Sequence, residues 1–219
     1  LPHPDHLATA RDLARTAVAA IRDHPERYAV YKERSYTYND ITQYNRNHLL
    51  REDDSVDGLK TGYTSVAGYG LVASAKRDGM RLVSVVMGSS STSSRKAETR
   101  SLLNYGFRFF ETLRPLNAGS ALSEGRVWKG QTQQASLGVL QDVVLTLPRS
   151  TADVTTEIVI DDPLIAPLAV GDIVGRVQLS RAGEPVTEVP LQVLEAVEPA
   201  GFFARLWDSI VLWFQQLLA

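Results

Sequence analysis

The segment Val56–Thr64 contains the residues best suited to chemistry in this chain, the triplet Lys60-Thr61-Gly62. A lysine ammonium and a threonine hydroxyl side by side on a strand can hold a free carboxylate through charge-assisted hydrogen bonds. Gly62 leaves room for a substrate backbone to run beside the strand, much as an added strand pairs with a sheet edge. The triplet therefore predicts a site that recognises an extended peptide by its terminal carboxylate.

Serine acyl-transfer enzymes combine a Lys-Thr-Gly triplet with a Ser-x-x-Lys nucleophile motif and a Ser-x-Asn motif. The run Ser93-Ser94-Arg95-Lys96 fits the nucleophile pattern, but it follows the triplet, lies in a polar loop and has no Ser-x-Asn partner in the chain. We interpret Ser93 as a helix cap and not as a nucleophile. Both partner motifs are expected to precede Leu1.

Composition excludes several other kinds of site. A net charge of −2 without a Lys/Arg cluster argues against nucleic-acid binding. The absence of cysteine excludes disulfides, thiolate catalysis and Cys-ligated zinc. The four histidines have no metal-ligand spacing on a shared helix face, so neither a metal nor another cofactor is expected; they are His3, His6, His24 and His48.

The triplet belongs to a segment with the pattern of an antiparallel sheet. Leu59–Tyr63, Tyr69–Ala75 and Arg81–Met87 are apolar strand candidates, and Arg77-Asp78-Gly79 predicts a hairpin between the last two. A capping box at Thr9 and Asp12 opens a preceding helix that is expected to stop at His24-Pro25. An aromatic segment, Arg95–Thr112, predicts a second helix that covers the sheet. Helices on an antiparallel sheet indicate an α+β fold.

The pattern changes after Pro115. Short Val/Leu/Thr runs separated by Gly, Pro and Asp predict a small all-β domain over residues 115–198. Residues 199–219 predict an amphipathic helix that lies on a membrane surface, since it is too interrupted by polar residues to span one. Packing of this helix on its own domain or on a dimer partner is the alternative. The predicted membrane-binding residues are Phe202, Phe203, Leu206, Trp207, Ile210, Trp213, Phe214 and Leu217.

In order and spacing, the chain resembles the serine D-alanyl-D-alanine carboxypeptidases among the low-molecular-mass penicillin-binding proteins, of the penicillin-binding protein 5/6 type. The matching segments are Asn45–Leu50, Val56–Gly62, Gly68-Tyr69, Leu71–Ala75, Met80–Gly88 and the aromatic run Phe107–Phe110. Family members carry a β-rich domain after the catalytic domain, then an amphipathic helix on the periplasmic face of the bacterial cytoplasmic membrane. The resemblance therefore implies a partial transpeptidase-like domain at residues 1–114, followed by the β domain and the anchoring helix.

The resemblance implies removal of the terminal D-Ala from peptidoglycan pentapeptides through a serine acyl-enzyme, with β-lactams as covalent inhibitors of the complete enzyme. It assigns Lys60 to catalysis and substrate binding, and it assigns Thr61 and Gly62 to substrate binding. The backbone N–H of Tyr63 contributes to the oxyanion hole, although many relatives have histidine at this position. Arg95 and Arg46 are candidates for the substrate carboxylate, because a guanidinium can donate two parallel hydrogen bonds to it.

The implied nucleophile lies outside this chain, so the chain alone is expected to be inactive. Two alternatives remain. One is a non-catalytic module of the cell envelope in which the site residues are vestigial. The other is a relative of the β-lactamases, which share the Lys-Thr-Gly triplet.

Overall fold

The computed structural model describes residues 3, 7–150 and 152–218, the last four of these through their backbone only. The chain divides into two compact units, Leu1–Thr112 and Leu113–Ala219. The first unit contains helices, a hairpin and a three-stranded sheet: α1 (Ala10–Asp23), α2 (Pro25–Tyr28), β1 (Ser35–Tyr38), β2 (Ile41–Tyr44), β3 (Val56–Thr64), β4 (Gly68–Arg77), β5 (Met80–Ser89) and α3 (Thr92–Phe109). Two 3₁₀ turns, Ala29–Lys32 and His48–Arg51, flank the hairpin.

Helix α1 begins at the predicted capping box. The Thr9 hydroxyl accepts a hydrogen bond from the Asp12 amide at 3.2 Å, and the Asp12 carboxylate accepts one from the Thr9 amide at 3.0 Å. The helix ends at Asp23, next to the predicted stop. Pro25 also begins the next helix, α2, at its first helical position. A proline is tolerated there because the backbone N–H that it lacks would have no partner within the helix.

The sheet of the first unit is antiparallel, with β4 between β3 and β5. The predicted hairpin is confirmed: Asp78 and Gly79 both have positive φ, 47° and 81°, as a tight two-residue turn requires. Side chains alternate along β4. Ala73 packs in the core with Leu103 of α3, while Val72 packs on the cluster that contains Ala17 of α1. The sheet therefore has a helix on each face.

Helix α3 differs from the sequence expectation at both ends. It begins at Thr92, and the Ser91 hydroxyl caps it by accepting a hydrogen bond from the Ser94 amide at 3.0 Å. The prediction that Ser93 is the cap is wrong, because Ser91 is the residue with the extended backbone that a cap requires. The aromatic run was predicted to be helical through Thr112, but a strand begins at Phe110, since aromatic residues suit both structures.

The second unit consists of strands followed by one helix. The elements are β6 (Phe110–Leu116), β7 (Ala121–Trp128), β8 (Gln134–Gly138), β9 (Val143–Pro148), β10 (Val154–Ile160), β11 (Leu164–Ile165), β12 (Ile173–Arg181), β13 (Glu184–Val193) and α4 (Phe202–Leu218). A six-stranded sheet has the order β10-β12-β13-β8-β7-β11, and β6 pairs with β9. The core of this unit includes the fully buried Leu137, Val177 and Leu191. The expected α+β class, with an all-β region after the first sheet, is confirmed.

Helix α4 exposes large apolar side chains. Phe203 is 84% exposed and Trp207 is 67% exposed. The side chain of Leu217, which was predicted to join them, lies outside the described residues. None of the helices in the described part of the chain is long and apolar enough to cross a membrane.

Candidate functional site

Strand β3 places the Lys-Thr-Gly triplet along an edge of the sheet. Within the described residues it pairs only with β4, so its other side is open to a ligand backbone. Leu59 is buried beneath the triplet and anchors the strand, whereas the next residue, Lys60, is exposed. Gly62 lies opposite Gly70 of β4. Edge position and small side chains give an incoming extended peptide access to the strand.

Asn45 and Asn47 form a turn, called the asparagine turn below, that is hydrogen-bonded to β3. The Asn47 side chain is fully buried, and its Nδ2 donates to the Gly58 carbonyl at 3.0 Å. Its Oδ1 accepts from the Leu49 amide, and the Asn47 amide donates to Asn45 Oδ1 at 2.9 Å. These bonds fix the backbone of Arg46, which lies between the two asparagines.

The Arg95 side chain extends from the first turn of α3 to the backbone of Arg46 and of β3. Its Nη1 donates to the carbonyls of Gly62 at 3.3 Å and Gly70 at 3.4 Å, and its Nη2 donates to the Arg46 carbonyl at 3.4 Å. The residue is only 6% exposed. One guanidinium thus joins β3, β4 and the asparagine turn.

The charge of the Arg95 guanidinium is held by carbonyl oxygens and not by an acidic side chain. Burial lowers its pKa from the ordinary value, Tyr69 acts in the opposite direction, and the nearby positive charge of Arg46 lowers the pKa further. An arginine nevertheless stays protonated at neutral pH. No carboxylate among the described residues pairs with it. A buried cation without an acidic partner favours the binding of an anion.

All six predicted site residues line one cavity of about 520 Å³. Three of its lining residues are cations, and none of the described lining residues is acidic. The arrangement suits a ligand with a negative charge. The residues predicted from sequence are Lys60, Thr61, Gly62, Tyr63, Arg46 and Arg95.

Tyr69 and Thr92 complete the lining of this cavity, and neither was predicted as a site residue. Tyr69 stands opposite Tyr63 in the β3–β4 register, and the ring centroids are 4.3 Å apart. The Arg95 guanidinium carbon lies 5.7 Å from the Tyr69 centroid, within cation–π range. The predicted pairing of the two strands was the available signal for Tyr69, and Thr92 was missed because α3 begins earlier than expected.

Lys60 is held close to the strand in this structure. Its Nζ donates to the Thr61 carbonyl at 2.6 Å. The side chain is exposed, so a ligand carboxylate can replace this local bond without a large desolvation cost. A larger cleft of about 920 Å³ borders the other face of the triplet and is mostly apolar, with Leu13 and Ala17 of α1 in its wall. The triplet therefore separates a cationic cavity from an apolar cleft.

The described residues contain no group of three His, Cys, Asp or Glu side chains placed to hold a metal ion. His6 lies outside the described residues. The chemistry of the cavity is that of anion binding by ammonium, guanidinium and hydroxyl groups.

Comparison with known proteins gives two family matches. Residues 1–91 match the D-alanyl-D-alanine carboxypeptidase family model, and residues 110–199 match the model for the C-terminal domain of penicillin-binding protein 5. The chain is 44% identical over 210 residues to D-alanyl-D-alanine carboxypeptidase DacA of Escherichia coli (strain K12), covering 94% of this chain and 52% of that protein. The chain is therefore similar to D-alanyl-D-alanine carboxypeptidases over nearly all of its length. The resemblance seen in the sequence is thereby confirmed.

Other family members agree in sequence and in structure. DacA of Haemophilus influenzae is 42% identical over 224 residues, covering all of this chain and 57% of the relative. The crystal structure of penicillin-binding protein 5 from Haemophilus influenzae matches with a TM-score of 0.82 and 42% identity, over 90% of this chain and 59% of that one. Penicillin-binding protein 6B from Escherichia coli matches with a TM-score of 0.64, 34% identity and coverage of 85% and 50%. The chain spans about half the length of the curated family members it matches.

Proposed function

We propose that this chain supplies the carboxylate-recognition part of a D-alanyl-D-alanine carboxypeptidase that acts on peptidoglycan pentapeptides. One observation carries the proposal: the cavity beside the Lys-Thr-Gly strand is lined by three cations and, among its described residues, by no acid. A peptide that ends in D-Ala-D-Ala presents a free carboxylate next to the bond to be cleaved. Recognition of that charge distinguishes the end of a peptide from an internal bond.

Each of the six cavity residues predicted from the sequence has a role in this proposal. Lys60 and Thr61 bind the terminal carboxylate through an ammonium and a hydroxyl. Arg95 adds positive charge from the inner wall, and Arg46 adds charge from the rim. Gly62 admits the substrate backbone to the strand edge. The oxyanion receives a hydrogen bond from the backbone N–H of Tyr63, a donor that contributes about 3–4 kcal/mol in enzymes of this kind.

The nucleophile of the proposed reaction is a serine that this chain does not contain. Its hydroxyl attacks the carbonyl carbon of the penultimate D-Ala and forms an ester, while the peptide C–N bond breaks. The hydroxyl proton is transferred to the nitrogen of the terminal D-Ala, which leaves as the amine. Water then hydrolyses the ester and restores the serine. A β-lactam would acylate the same serine in the complete enzyme, since it also presents an anionic group beside a reactive carbonyl.

Covalent labelling by a fluorescent penicillin tests the proposal. The chain alone is compared with the polypeptide extended upstream to the full length of its relatives. We expect labelling of the extended polypeptide only. Labelling of neither form would favour a non-catalytic envelope module, and labelling of the short chain would make Ser93 the nucleophile. Rapid turnover of the penicillin by the extended form would instead indicate a β-lactamase-like hydrolase.

A second proposed function is attachment to a membrane surface through α4. The support is the outward apolar face of this helix, where Phe202, Phe203, Trp207 and Trp213 are each more than half exposed. Aromatic rings of this kind favour the headgroup region of a bilayer. For the complete enzyme we propose a position at the periplasmic face of the bacterial cytoplasmic membrane, next to its proposed substrate.

A further inference from the structure

Lys129, in the turn after β7, makes hydrogen bonds that hold the start of α4. Its carbonyl accepts from the Ala200 amide at 2.7 Å, just before the helix begins. Its own amide donates to Asp208 Oδ2 at 2.6 Å, in the second turn of the helix. Gly130 continues the contact through an antiparallel bridge to Pro199. One turn of the β sheet thus holds α4 at two points.

The Asp208 contact lies on the side of α4 that is turned toward the sheet. Asp208, Ser209, Val211 and Leu212 are half-buried, in contrast to the exposed aromatic residues of the same helix. Helix residues are about 100° apart around the axis. On that spacing, the exposed apolar residues fall within an arc of about 140°, and Asp208 lies roughly opposite its centre. These exposed residues are Phe202, Phe203, Leu206, Trp207, Ile210, Trp213 and Phe214.

The Asp208 carboxylate is a strong acceptor for the backbone amide of Lys129. Lys129 has a positive φ of 62°, and its amide points away from the strand ladder toward the helix. A charged acceptor makes a stronger hydrogen bond to an amide than a neutral one does. A single point of contact close to the start of a helix leaves the helix free to turn about its axis, whereas a second point one to two turns later prevents that rotation.

We propose that Asp208 is a positioning residue that fixes the rotational setting of α4 on the β unit, so that the apolar face is already turned outward before a lipid surface is met. The inference rests on the proposed attachment to a membrane and refines it. The second unit then binds a bilayer as a preformed surface, with its sheet held at one angle to the lipid. A helix on a free linker would leave that angle undefined.

Spin labels measure this setting in the full chain. The sequence contains no cysteine, so a pair of introduced cysteines labels two chosen sites only. Glu157→Cys lies on the exposed part of β10, and Trp213→Cys lies far along α4. For the labelled parent protein in solution, we expect pulsed electron paramagnetic resonance to give a narrow distribution of distances between the two spin labels. Asp208→Ala, in the same labelled background, is expected to make it about twofold broader, because the helix gains rotational freedom.

Two further variants keep the test decisive. Ser209→Ala is the matched control on the same helix, because among the described residues the Ser209 hydroxyl bonds only to the Arg205 carbonyl, at 2.8 Å within the helix; it should leave the distribution narrow. Asp208→Asn keeps an oxygen acceptor in place and should also leave it narrow. A broad distribution in the parent protein, or an alanine variant that matches the parent in centre and width, would overturn the proposal. So would an asparagine variant as broad as the alanine variant, since the hydrogen bond would then not be the cause.

Sedimentation of the unlabelled chain with vesicles of phosphatidylethanolamine and phosphatidylglycerol separates this inference from the membrane proposal. Failure of the parent chain to sediment would refute attachment to the membrane, whatever the distance measurement gives. Sedimentation of the parent together with unchanged distances in Asp208→Ala would leave membrane attachment in place and refute the role of Asp208.

Discussion

At the scale of single residues, two glycines of β3 are present for different reasons. A Cβ added at Gly58 would lie 2.5 Å from the Tyr28 hydroxyl oxygen, whereas a Cβ added at Gly62 would meet nothing within 4 Å. The fold therefore requires glycine at the first position but not at the second. In the proposed function, this open space beside Gly62 admits a ligand that approaches the strand there.

Gly62→Ala tests this explanation. The free energy of unfolding of the chain is expected to change by less than about 0.5 kcal/mol, since the methyl group has room. The extended, complete enzyme is expected to be acylated by penicillin at least about tenfold more slowly, a barrier increase of roughly 1.4 kcal/mol. Urea denaturation and labelling kinetics measure the two effects. Gly58→Ala is the control: it should destabilise the fold by about 1–3 kcal/mol through the clash with Tyr28.

Arg95 allows a second test at the residue scale. Arg95→Lys keeps a positive charge but loses the planar fork, so kcat/KM of the complete enzyme for a peptide with a free terminal carboxylate should fall roughly 10- to 100-fold. The preference for that peptide over its amidated form should fall with it. Arg100→Lys is the matched control on α3, because Arg100 pairs with Glu52 outside the cavity. Equal losses in both variants would contradict a role of Arg95 in carboxylate recognition.

At the scale of elements, Tyr28 joins α2 to the sheet. Its hydroxyl donates to Asp57 Oδ1 at 2.8 Å, and Arg81 holds the other oxygen of that carboxylate at 2.8 Å. Burial raises the pKa of Tyr28 to about 12, and the negative charge of Asp57 acts in the same direction. The neutral hydroxyl is thus the form that the fold requires.

This raised pKa predicts how stability depends on pH. In the unfolded chain a tyrosine ionises near pH 10, so from about pH 10 to about pH 12 the unfolded state loses the proton first. The free energy of unfolding should therefore fall as the pH rises through that window, and Tyr28→Phe should reduce the slope. Urea denaturation followed by circular dichroism at pH 9 to 11.5 measures it. Tyr36→Phe, at an exposed tyrosine of β1, should leave the slope as it is; the same slope in all three proteins would refute the prediction.

At the scale of the whole molecule, the proposed chemistry and the proposed membrane attachment belong to different units. The cationic cavity lies in the first unit, and the outward apolar face of α4 lies in the second. Each can therefore be tested without disturbing the other.

Trp213→Ala should weaken partition into vesicles about tenfold or more, since a buried aromatic side chain contributes roughly 2 kcal/mol. Val170→Ala is the control, because Val170 is an exposed apolar residue of the same unit but not of α4. Raising the salt from about 0.1 M to 0.5 M should change partition less than about threefold, since Arg205 is the one cation in the described part of α4. Co-sedimentation measures both effects. A steep salt dependence, or equal losses in both variants, would contradict attachment through the aromatic face.

Local patterns determined much of what was predicted correctly. The capping box at Thr9, the hairpin at Asp78-Gly79 and the apolar face of α4 each depend on residues a few positions apart. The Lys-Thr-Gly triplet was recognisable for the same reason, since its chemistry lies in three consecutive side chains of one strand. Aromatic residues at the end of α3 were less informative, because helix and strand both accommodate them.

Contacts between distant segments were decided only by the tertiary structure. Arg95 meets the carbonyl of Gly62, 33 residues earlier, and Asp208 meets the amide of Lys129, 79 residues earlier. Periodicity tells which face of an element is apolar, but it does not give the angle at which that element packs or the backbone group that it meets. The sequence by itself therefore determined most of the elements, the family resemblance and the triplet. The packing of α3 on the sheet and of α4 on the β unit determined which charges surround the cavity and which way the aromatic face points.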